Sequence, residues 1–275
     1  MSAGMFKRFW QGGIAALCLV PVALASAQAA PCGNDASGFA AWLPAFKREA
    51  QAQGISPAAL RALDGVTYDT TVIRLDRNQK HFKVSFEQFA ASRISAGRIA
   101  TGKKKMQQYA STLARIEQRY GVPGEVLVAI WGLETDYGVN KGKMPILRSL
   151  ATLSYDCRRS DFFTGQLLDA LRIYQHGDLT LDEMRGAWAG EIGQTQFLAS
   201  SYVKYAVDFD GDGRADLVRS APDVLASTAN YLRGHGWRPG AGWGPGEPNY
   251  QALLGWNKAE VYVKTIGLFA SKLKQ

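Results

Sequence analysis

The residue that stands out chemically is Glu134, a glutamate inside the apolar segment 126–137. On a helix that turns about 100° per residue, Glu134 lies within roughly 60° of Leu127, Ile130 and Trp131 and shares their apolar stripe. A carboxylate among apolar neighbours loses hydration, which disfavours its charged form and raises its pKa. Such a carboxyl group keeps its proton near neutral pH and suits the protonation of a leaving oxygen.

An alternative interpretation of Glu134 stays open at this point, because a buried glutamate can simply pair with a buried arginine. Asp136 does not help to choose between the two. It lies two residues further on and points to nearly the opposite side, beside Gly132. Asp136 is therefore a poor candidate for a second carboxylate acting on the same bond.

A second group of carboxylates lies in the acidic segment 208–216, which follows the pattern D-x-D-x-D-G-x-x-D. This is most of the calcium-binding loop of an EF-hand, and it predicts a weak structural Ca²⁺ site. The twelfth position, usually a bidentate glutamate, is Arg219. Asp223 comes too late for the usual count, but the predicted EF-hand-like loop extends over 208–223 with this late aspartate as its end. A solvated acidic turn is the alternative. The predicted ligands are the side chains of Asp208, Asp210, Asp212 and Asp216 and the backbone carbonyl of Arg214.

The secondary structure that surrounds these residues is predicted to be helical. Apolar residues recur at helical spacing, alternating strand patterns are scarce, and no linker divides the chain. We expect one mainly α domain, with two lobes around a cleft as one option. Within it, a long helical stretch over 85–120 is predicted to break near Gly97 and Gly102. Thr180 and Glu183 form the capping box of a further predicted helix.

Composition narrows the class of protein. The 275 residues are 47% hydrophobic and 20% charged, which supports a real core and excludes wholesale disorder. The 32 basic and 24 acidic residues give a net charge of +8, which fits an anionic polymer or surface without requiring nucleic acid. Three cysteines without a CxxC spacing and three histidines exclude a zinc or iron–sulfur centre.

The N-terminus predicts export. Lys7 and Arg8 precede an apolar run over 14–24 and a series of small residues, which is the pattern of a secretory signal peptide over 1–29. The run is shorter than the roughly 20 residues of a membrane span. Residues 30–275 are the predicted mature domain. In an oxidising compartment Cys32 and Cys157 are expected to form a disulfide, two free thiols being the alternative.

Six longer segments resemble one known family, the lytic murein transglycosylases of the membrane-bound B type (glycoside hydrolase family 103). They occur in the order of that family, from about Ala40 to the C-terminus. The segments are IWGLETDYG at 130–138, RSLATLSYDCRRSDFF at 148–163, GAWAGEIGQTQF at 186–197, YAVDFDGDG at 205–213, ANYLRGHGW at 229–237 and WNKAEVY at 256–262.

The resemblance implies a lysozyme-like, mainly helical fold with a deep groove for the glycan strand of peptidoglycan. The implied reaction cleaves the β-1,4 bond between N-acetylmuramic acid and N-acetylglucosamine without water. The C6 hydroxyl of the muramic sugar attacks its own C1 and leaves a 1,6-anhydro ring. Ordinary glycosidases need two carboxylates. This intramolecular attack needs one, with no cofactor, and agrees with Glu134 as a lone acid and base.

Further site residues are implied by the same resemblance. Two departures from the family accompany them. Trp256 stands where a tyrosine is usual, which would keep stacking on a sugar but lose a hydroxyl contact. Glu191 stands where many relatives have a small or apolar residue, which puts a second carboxylate near the cleft. For the tyrosines, core packing is the alternative. The implied substrate-binding residues are Gln196, Tyr231, Asn257 and Tyr262, together with Arg158 and Arg159 as contacts for the glycan or its peptide carboxylate.

The sequence thus predicts a periplasmic lytic transglycosylase, expected to act as a monomer in peripheral contact with the cell wall. Two other hypotheses remain: a lysozyme-type hydrolase on the same scaffold, and a catalytically silent protein that binds peptidoglycan or serves as a scaffold.

Overall fold

The computed structural model describes residues 31–79 and 84–275, so the predicted signal peptide lies outside the described residues. The described part is mainly helical, as predicted. Its helices are α1 (Phe39–Ala52), α2 (Pro57–Leu60), α3 (Thr70–Arg77), α4 (Phe86–Arg93), α5 (Ala96–Gln108), α6 (Ala110–Tyr120), α7 (Gly124–Thr135), α8 (Ile146–Tyr155), α9 (Ser160–His176), α10 (Ala199–Tyr205), α11 (Ala221–Gly234), α12 (Tyr250–Trp256) and α13 (Glu260–Lys274), with one 3₁₀ turn at Arg61–Leu63.

Helix α7, which carries Glu134, lies at the centre of one group of helices. It is apolar on every side, and ten of its twelve residues are buried. A helix of that kind needs partners all round. It packs against α5, α6, α11 and α13. The helix that carries the candidate acid is therefore almost entirely buried.

A second group of helices forms around the α8–α9 pair. Helices α2 and α10 pack on α9, and α1 and α3 pack on α8. Helix α10 also contacts α11, and one continuous apolar cluster runs from Phe39 to Leu273 through both groups. A short antiparallel pair, β1 (Met144–Pro145) and β2 (Arg185–Gly186), starts α8 and leads into the loop described below.

The helical stretch breaks at residues 94 and 95, near Gly97 as predicted, whereas the predicted break near Gly102 is wrong. Both glycines lie inside α5, and the chain breaks between α4 and α5 and again at Tyr109. Gly102 is needed for packing and not for a turn. A Cβ atom at that position would lie 2.6 Å from the hydroxyl of Tyr137 and 2.6 Å from a methyl group of Leu273. The small residue lets α5 approach α7 and α13 closely.

The capping box at Thr180 and Glu183 forms, but it does not begin the predicted helix. Its hydrogen bond forms, since the backbone N–H of Thr180 donates to the Glu183 carboxylate at 2.8 Å. However, residues 181–183 make only a turn, because the chain leaves at once into β2. Long-range pairing with β1 overrides the local helix signal.

The predicted disulfide is confirmed: Cys32 and Cys157 are bonded. Beside it, the backbone N–H of Gly33 donates to the carbonyl of Tyr155 at 2.9 Å, and the N–H of Cys157 donates to the carbonyl of Gly33 at 3.2 Å. The bridge thus fixes the N-terminal segment to the end of α8. Among the described helices, none combines the length and the apolar character needed to cross a bilayer.

Candidate active site

Glu134 is the second-last residue of α7, and the backbone beyond it turns sharply. Asp136 and Tyr137 both adopt left-handed conformations, with φ of 55° and 59°. Such values are uncommon for residues other than glycine and end a helix. Asp136 is directed away from Glu134 as predicted, and its carboxylate pairs with Nε of Arg98 at 3.0 Å.

The end of α7 is tied to residues 187–198, the segment between β2 and α10 that is called the site loop below. The indole N–H of Trp131 donates to Oε1 of Gln194 at 2.9 Å. The buried hydroxyl of Thr135 donates to the backbone carbonyl of Gln194. These bonds lie on either side of Glu134 in the sequence. They hold the candidate acid and the site loop in one fixed arrangement.

Two donors from the C-terminal part of the chain meet the Glu134 carboxyl group. The indole N–H of Trp256 donates to Oε1 at 2.9 Å, and the hydroxyl of Tyr262 donates to the same oxygen at 2.7 Å. Within the described residues no protein donor contacts Oε2. One oxygen is therefore held by the protein, and the other is available to a substrate.

The environment of Glu134 raises its pKa. Burial is the largest cause, and the negative charge of Glu191 acts in the same direction. The hydrogen bonds from Trp256 and Tyr262 and the positive charge of Arg93 oppose it, but the pKa stays above its ordinary value. The expectation from the apolar stripe is confirmed in direction. No arginine neutralises the carboxyl group by direct pairing in the described part of the chain, so the ion-pair alternative is wrong.

A cleft of roughly 350 Å³ opens in front of this carboxyl group. It collects residues from α7, the site loop, α11 and the end of α12. Tyr262 reaches the site through its bond to Glu134 and is mostly covered by neighbouring atoms. The residues that line the cleft include Glu134, Glu191, Thr195, Gln196, Phe197, Tyr231, Trp256 and Asn257.

Gln196 is held in an unusual conformation, with a φ of 54°. A left-handed conformation costs about 1–2 kcal/mol for most residues with a Cβ, and such residues cluster at functional sites. Its side-chain amide donates to the carbonyls of Gly193 at 2.8 Å and Lys141 at 3.2 Å. The donors are thus used by the protein, which leaves the amide oxygen for a ligand.

Tyr231 and Asn257 lie in the cleft wall, but each has a bond within the protein. The hydroxyl of Tyr231 donates to the carbonyl of Gly255 at 2.8 Å. Its ring stacks on His235 with centroids 4.0 Å apart and meets the Trp256 ring edge-on at 5.0 Å. Oδ1 of Asn257 accepts from the backbone N–H of Ala259 at 2.9 Å. Tyr231 therefore fixes the Trp256 ring that contacts Glu134.

The chain matches a known family over most of its length. A family model described as "Transglycosylase SLT domain" matches residues 38–247. The chain belongs to this family of transglycosylases. Membrane-bound lytic murein transglycosylase B of Escherichia coli (strain K12) is 40% identical over 164 residues, which cover 57% of this chain and 45% of that protein. The chain thus spans less than half the length of this curated relative.

Solved structures of family members agree with the fold. The structure of SltB3 from Pseudomonas aeruginosa in complex with NAG-anhNAM-pentapeptide superposes with a TM-score of 0.82 at 33% identity, covering 86% of this chain and 80% of that one. Escherichia coli Slt35 in complex with calcium superposes with a TM-score of 0.76 at 25% identity, covering 91% of this chain and 98% of that one. The resemblance seen in the sequence is confirmed.

The two arginines that the family resemblance places near the glycan have other partners here. Nη1 of Arg158 lies 2.7 Å from Oδ2 of the buried Asp76, and Arg159 binds the other oxygen of that carboxylate. Neither arginine lines the cleft of Glu134. Arg159 still acts on the site electrostatically, because its charge lowers the pKa of Glu191.

In the acidic loop the structure brings together three of the predicted ligands. Carboxylate oxygens of Asp208, Asp210 and Asp212 all lie within 4.8 Å of one another. Asp216 does not join them: its Oδ2 accepts from Nε of Arg219 at 2.7 Å, and its Oδ1 accepts two backbone amides. Three carboxylate side chains suit Ca²⁺ as hard oxygen ligands. The ninth and twelfth positions of the loop, Asp216 and Arg219, pair with each other and do not join these ligands.

Sequence reasoning missed one functional contact and left another undecided. It placed Trp256 against a sugar and did not foresee its bond to Glu134. The signal was present, since an indole N–H is a donor that can replace the missing tyrosine hydroxyl. The sequence predicts Glu191 near the cleft as a second carboxylate but assigns it no role. The structure places it in the same cleft as Glu134.

Proposed function

We propose that this chain is a lytic transglycosylase that cleaves the β-1,4 bond between N-acetylmuramic acid and N-acetylglucosamine in peptidoglycan without water. The observation that carries the proposal is the Glu134 carboxyl group, buried enough to raise its pKa and held through one oxygen by Trp256 and Tyr262. The relative in complex with NAG-anhNAM-pentapeptide supports the substrate class and the anhydro product.

The first step is protonation of the leaving group. Protonated Glu134 donates its proton through Oε2 to the glycosidic oxygen, and the bond between that oxygen and C1 of the muramic sugar breaks. The positive charge left at C1 is shared with the sugar's own acetamido oxygen. Glu134 is now a carboxylate, and the donors Trp256 and Tyr262 stabilise its new charge.

The second step closes the ring. The C6 hydroxyl of the same sugar attacks C1, and its proton passes to the Glu134 carboxylate. The product is a 1,6-anhydro sugar, and the carboxyl group returns to its starting state. A single carboxyl group thus acts first as acid and then as base, and no metal or cofactor is needed for either proton transfer.

The cleft wall offers groups for the sugars on either side of this bond. The amide oxygen of Gln196 can accept from a hydroxyl or an acetamido N–H, and the side-chain nitrogen of Asn257 can donate. Trp256 presents an aromatic face next to the reacting carboxyl group. We propose that these groups and Tyr231 form the part of a longer groove in which the reacting muramic sugar lies, with Arg158 and Arg159 further along it.

The products decide between this function and a hydrolase. Purified peptidoglycan digested with the protein should yield muropeptides that are lighter by one water than those from a lysozyme, as mass spectrometry would show. Products with reducing ends would establish the lysozyme-type alternative. Binding to peptidoglycan with no new products, under conditions in which a known lytic enzyme digests the same sample, would establish the silent binding protein.

We further propose that residues 1–29 direct export and that residues 30–275 act in the periplasm as a monomer. The disulfide between Cys32 and Cys157 supports this, since such bonds persist in oxidising compartments. N-terminal sequencing of the exported protein should find a start after Ala27 or Ala29; a retained Met1 would contradict the signal peptide.

We propose that Asp208, Asp210 and Asp212 bind Ca²⁺ weakly and fix the loop that leads into α11. Because Arg219 occupies the twelfth position, we expect a Kd of about 10⁻⁴–10⁻³ M. At about 10 mM Ca²⁺ the gain in unfolding free energy is then roughly 1–3 kcal/mol. The melting temperature should rise by several degrees with Ca²⁺, by less with Mg²⁺, and not at all in Asp212→Asn. A melting temperature that Ca²⁺ and chelator leave unchanged in the wild type would refute the site.

A further inference from the structure

A further cavity, of roughly 500 Å³, lies on the side of α13 that faces away from Glu134, and it is called the α13 groove below. Its lining includes Lys264, Leu268 and Ser271 of α13. At about 100° per residue these three lie roughly 180° to 240° round the helix from Tyr262, whose hydroxyl reaches Glu134. Among the described residues, none lines both the α13 groove and the cleft of Glu134. The α13 groove is therefore a separate cavity.

The other wall of the α13 groove comes from the segment 238–248, which is rich in glycine and proline and has no task in the proposed function. This segment is closed by the fully buried side chain of Asn249. The Asn249 amide donates to the carbonyls of Arg238 at 2.9 Å and Ala241 at 2.8 Å. Its Oδ1 accepts from the backbone N–H of Arg238 at 2.6 Å. These bonds fix the segment, so the side chains that it contributes to the groove are held in place.

The fixed segment contributes the half-buried ring of Trp243 to the groove. This ring stacks on the buried ring of Trp237, with centroids 6.2 Å apart and 25° between the planes. Within the described part of the chain, no group accepts from the indole N–H of Trp243. Phe86 and Leu268 add further apolar surface. A sugar ring has an apolar face of C–H groups and a polar rim, which match the face of an indole and the N–H at its edge.

Tyr250 provides the groove with a second unused hydrogen-bonding group. The residue is 8% exposed and lines the groove, and its buried hydroxyl has no partner among the described residues. An unpaired buried hydroxyl destabilises a fold, and native proteins contain few of them. Glu260 and Lys264 pair with each other at 3.3 Å and act on this hydroxyl through their charges alone. An acceptor seated in the groove is the partner that Tyr250 lacks.

We propose that the α13 groove is a second glycan-binding site, in which Trp243 stacks on an N-acetyl sugar of a peptidoglycan strand and the Tyr250 hydroxyl donates to that sugar. The inference rests on the proposed function, because it gives the same polymer a second point of attachment. An acetamido group fits the groove, since its methyl group is apolar and its carbonyl oxygen accepts hydrogen bonds. The apolar side chains of a protein partner would leave both donors unpaired. A strand held here keeps the cleft at a high local concentration of substrate.

The first test titrates chitotetraose, a β-1,4-linked oligomer of N-acetylglucosamine, into the Glu134→Gln protein and follows its indole N–H resonances. The Trp243 resonance, assigned by its loss in Trp243→Phe, should shift and reach saturation. Tyr250→Phe should weaken this binding about two- to tenfold, the effect of one hydrogen bond. The variant should not melt earlier, because the hydroxyl has no partner in the protein to lose. A Trp243 resonance that stays in place up to about 10 mM sugar, enough to detect a Kd of about 1 mM, would overturn the proposal, as expected if the groove instead takes an apolar protein segment.

The second test measures binding to insoluble peptidoglycan. Trp243→Ala should raise the half-saturating amount of peptidoglycan about fivefold or more, as is usual for an aromatic anchor. The matched control is Phe162→Ala, since Phe162 is an aromatic residue that is 46% exposed and lines neither the α13 groove nor the cleft. Equal binding by the two variants would overturn the proposal. Failure of the proposed function would appear separately, as wild-type digests without anhydro sugars, and would not alter the response of Trp243 to the sugar.

Discussion

Glu134→Gln is expected to lose about 10²–10⁴-fold in the rate of peptidoglycan cleavage, the usual cost of removing a general acid. Glutamine keeps the shape of the side chain and an oxygen that can accept from Trp256 and Tyr262. The cleft should therefore keep its form and still bind the glycan. What is lost is the proton that the leaving oxygen needs. The measurement is the release of soluble muropeptides from purified peptidoglycan, with binding to insoluble peptidoglycan followed in parallel.

The matched control is Asp136→Asn, since Asp136 is a second acidic residue two positions further on and pairs with Arg98 outside the cleft. It should keep most of the activity. Tyr262→Phe should give an intermediate loss, because it removes one donor from Oε1 and leaves the acid in place. A loss of less than tenfold in Glu134→Gln would show that Glu134 is not the general acid.

Glu134→Gln should also be more stable than the wild type at neutral and basic pH. The folded-state pKa of Glu134 is raised, mainly by burial. An acid of this kind binds its proton more tightly in the folded state, so stability falls as the pH rises from the ordinary glutamate pKa through the raised value. Below that window the two proteins should melt at similar temperatures. Gain of stability with loss of activity would mark Glu134 as a residue kept for function.

Loss of the Cys32–Cys157 disulfide is expected to cost about 2–5 kcal/mol of unfolding free energy. The bond joins residues separated by 125 positions, so it closes a long loop and restricts the unfolded chain strongly. For a domain of this size the melting temperature should fall by roughly 4–20 °C. Differential scanning calorimetry of the double variant Cys32→Ser/Cys157→Ser, compared with the oxidised wild type, measures the effect.

Two controls separate the bond from other effects of the substitutions. Reduction of the wild type should lower its melting temperature to that of the double variant, whereas the double variant itself should not respond to the reductant. Neither cysteine lines the cleft, so activity well below the melting temperature should be retained. A wild type that melts at the same temperature with and without reductant would contradict the stabilising role.

Most of the secondary structure could be predicted from local sequence patterns, because helix formation depends on neighbours a few residues away. Apolar residues at helical spacing predicted the mainly α fold. A local contact also begins α2, where the hydroxyl of Ser56 accepts from the N–H of Ala59. The same reasoning failed where distant contacts decide. Position 102 inside α5 has no room for a Cβ atom because Tyr137 and Leu273 lie against it, and the capping box at Thr180 begins no helix because β2 pairs with β1.

For the site, sequence alone was enough to identify the unusual carboxyl group, because a glutamate in an apolar helical stripe must lose hydration wherever that helix is buried. The groups that surround Glu134 could be found only from the folded chain. Trp256 and Tyr262 lie 122 and 128 residues further along the chain, yet both bind one oxygen of Glu134, and Glu191 reaches the same cleft from another loop. Convergence of this kind results from the packing of α7 against α13 and from the path of the site loop. Periodicity constrains only neighbours along a helix, whereas the charge and hydration of Glu134 depend on atoms that the fold brings together from far along the chain.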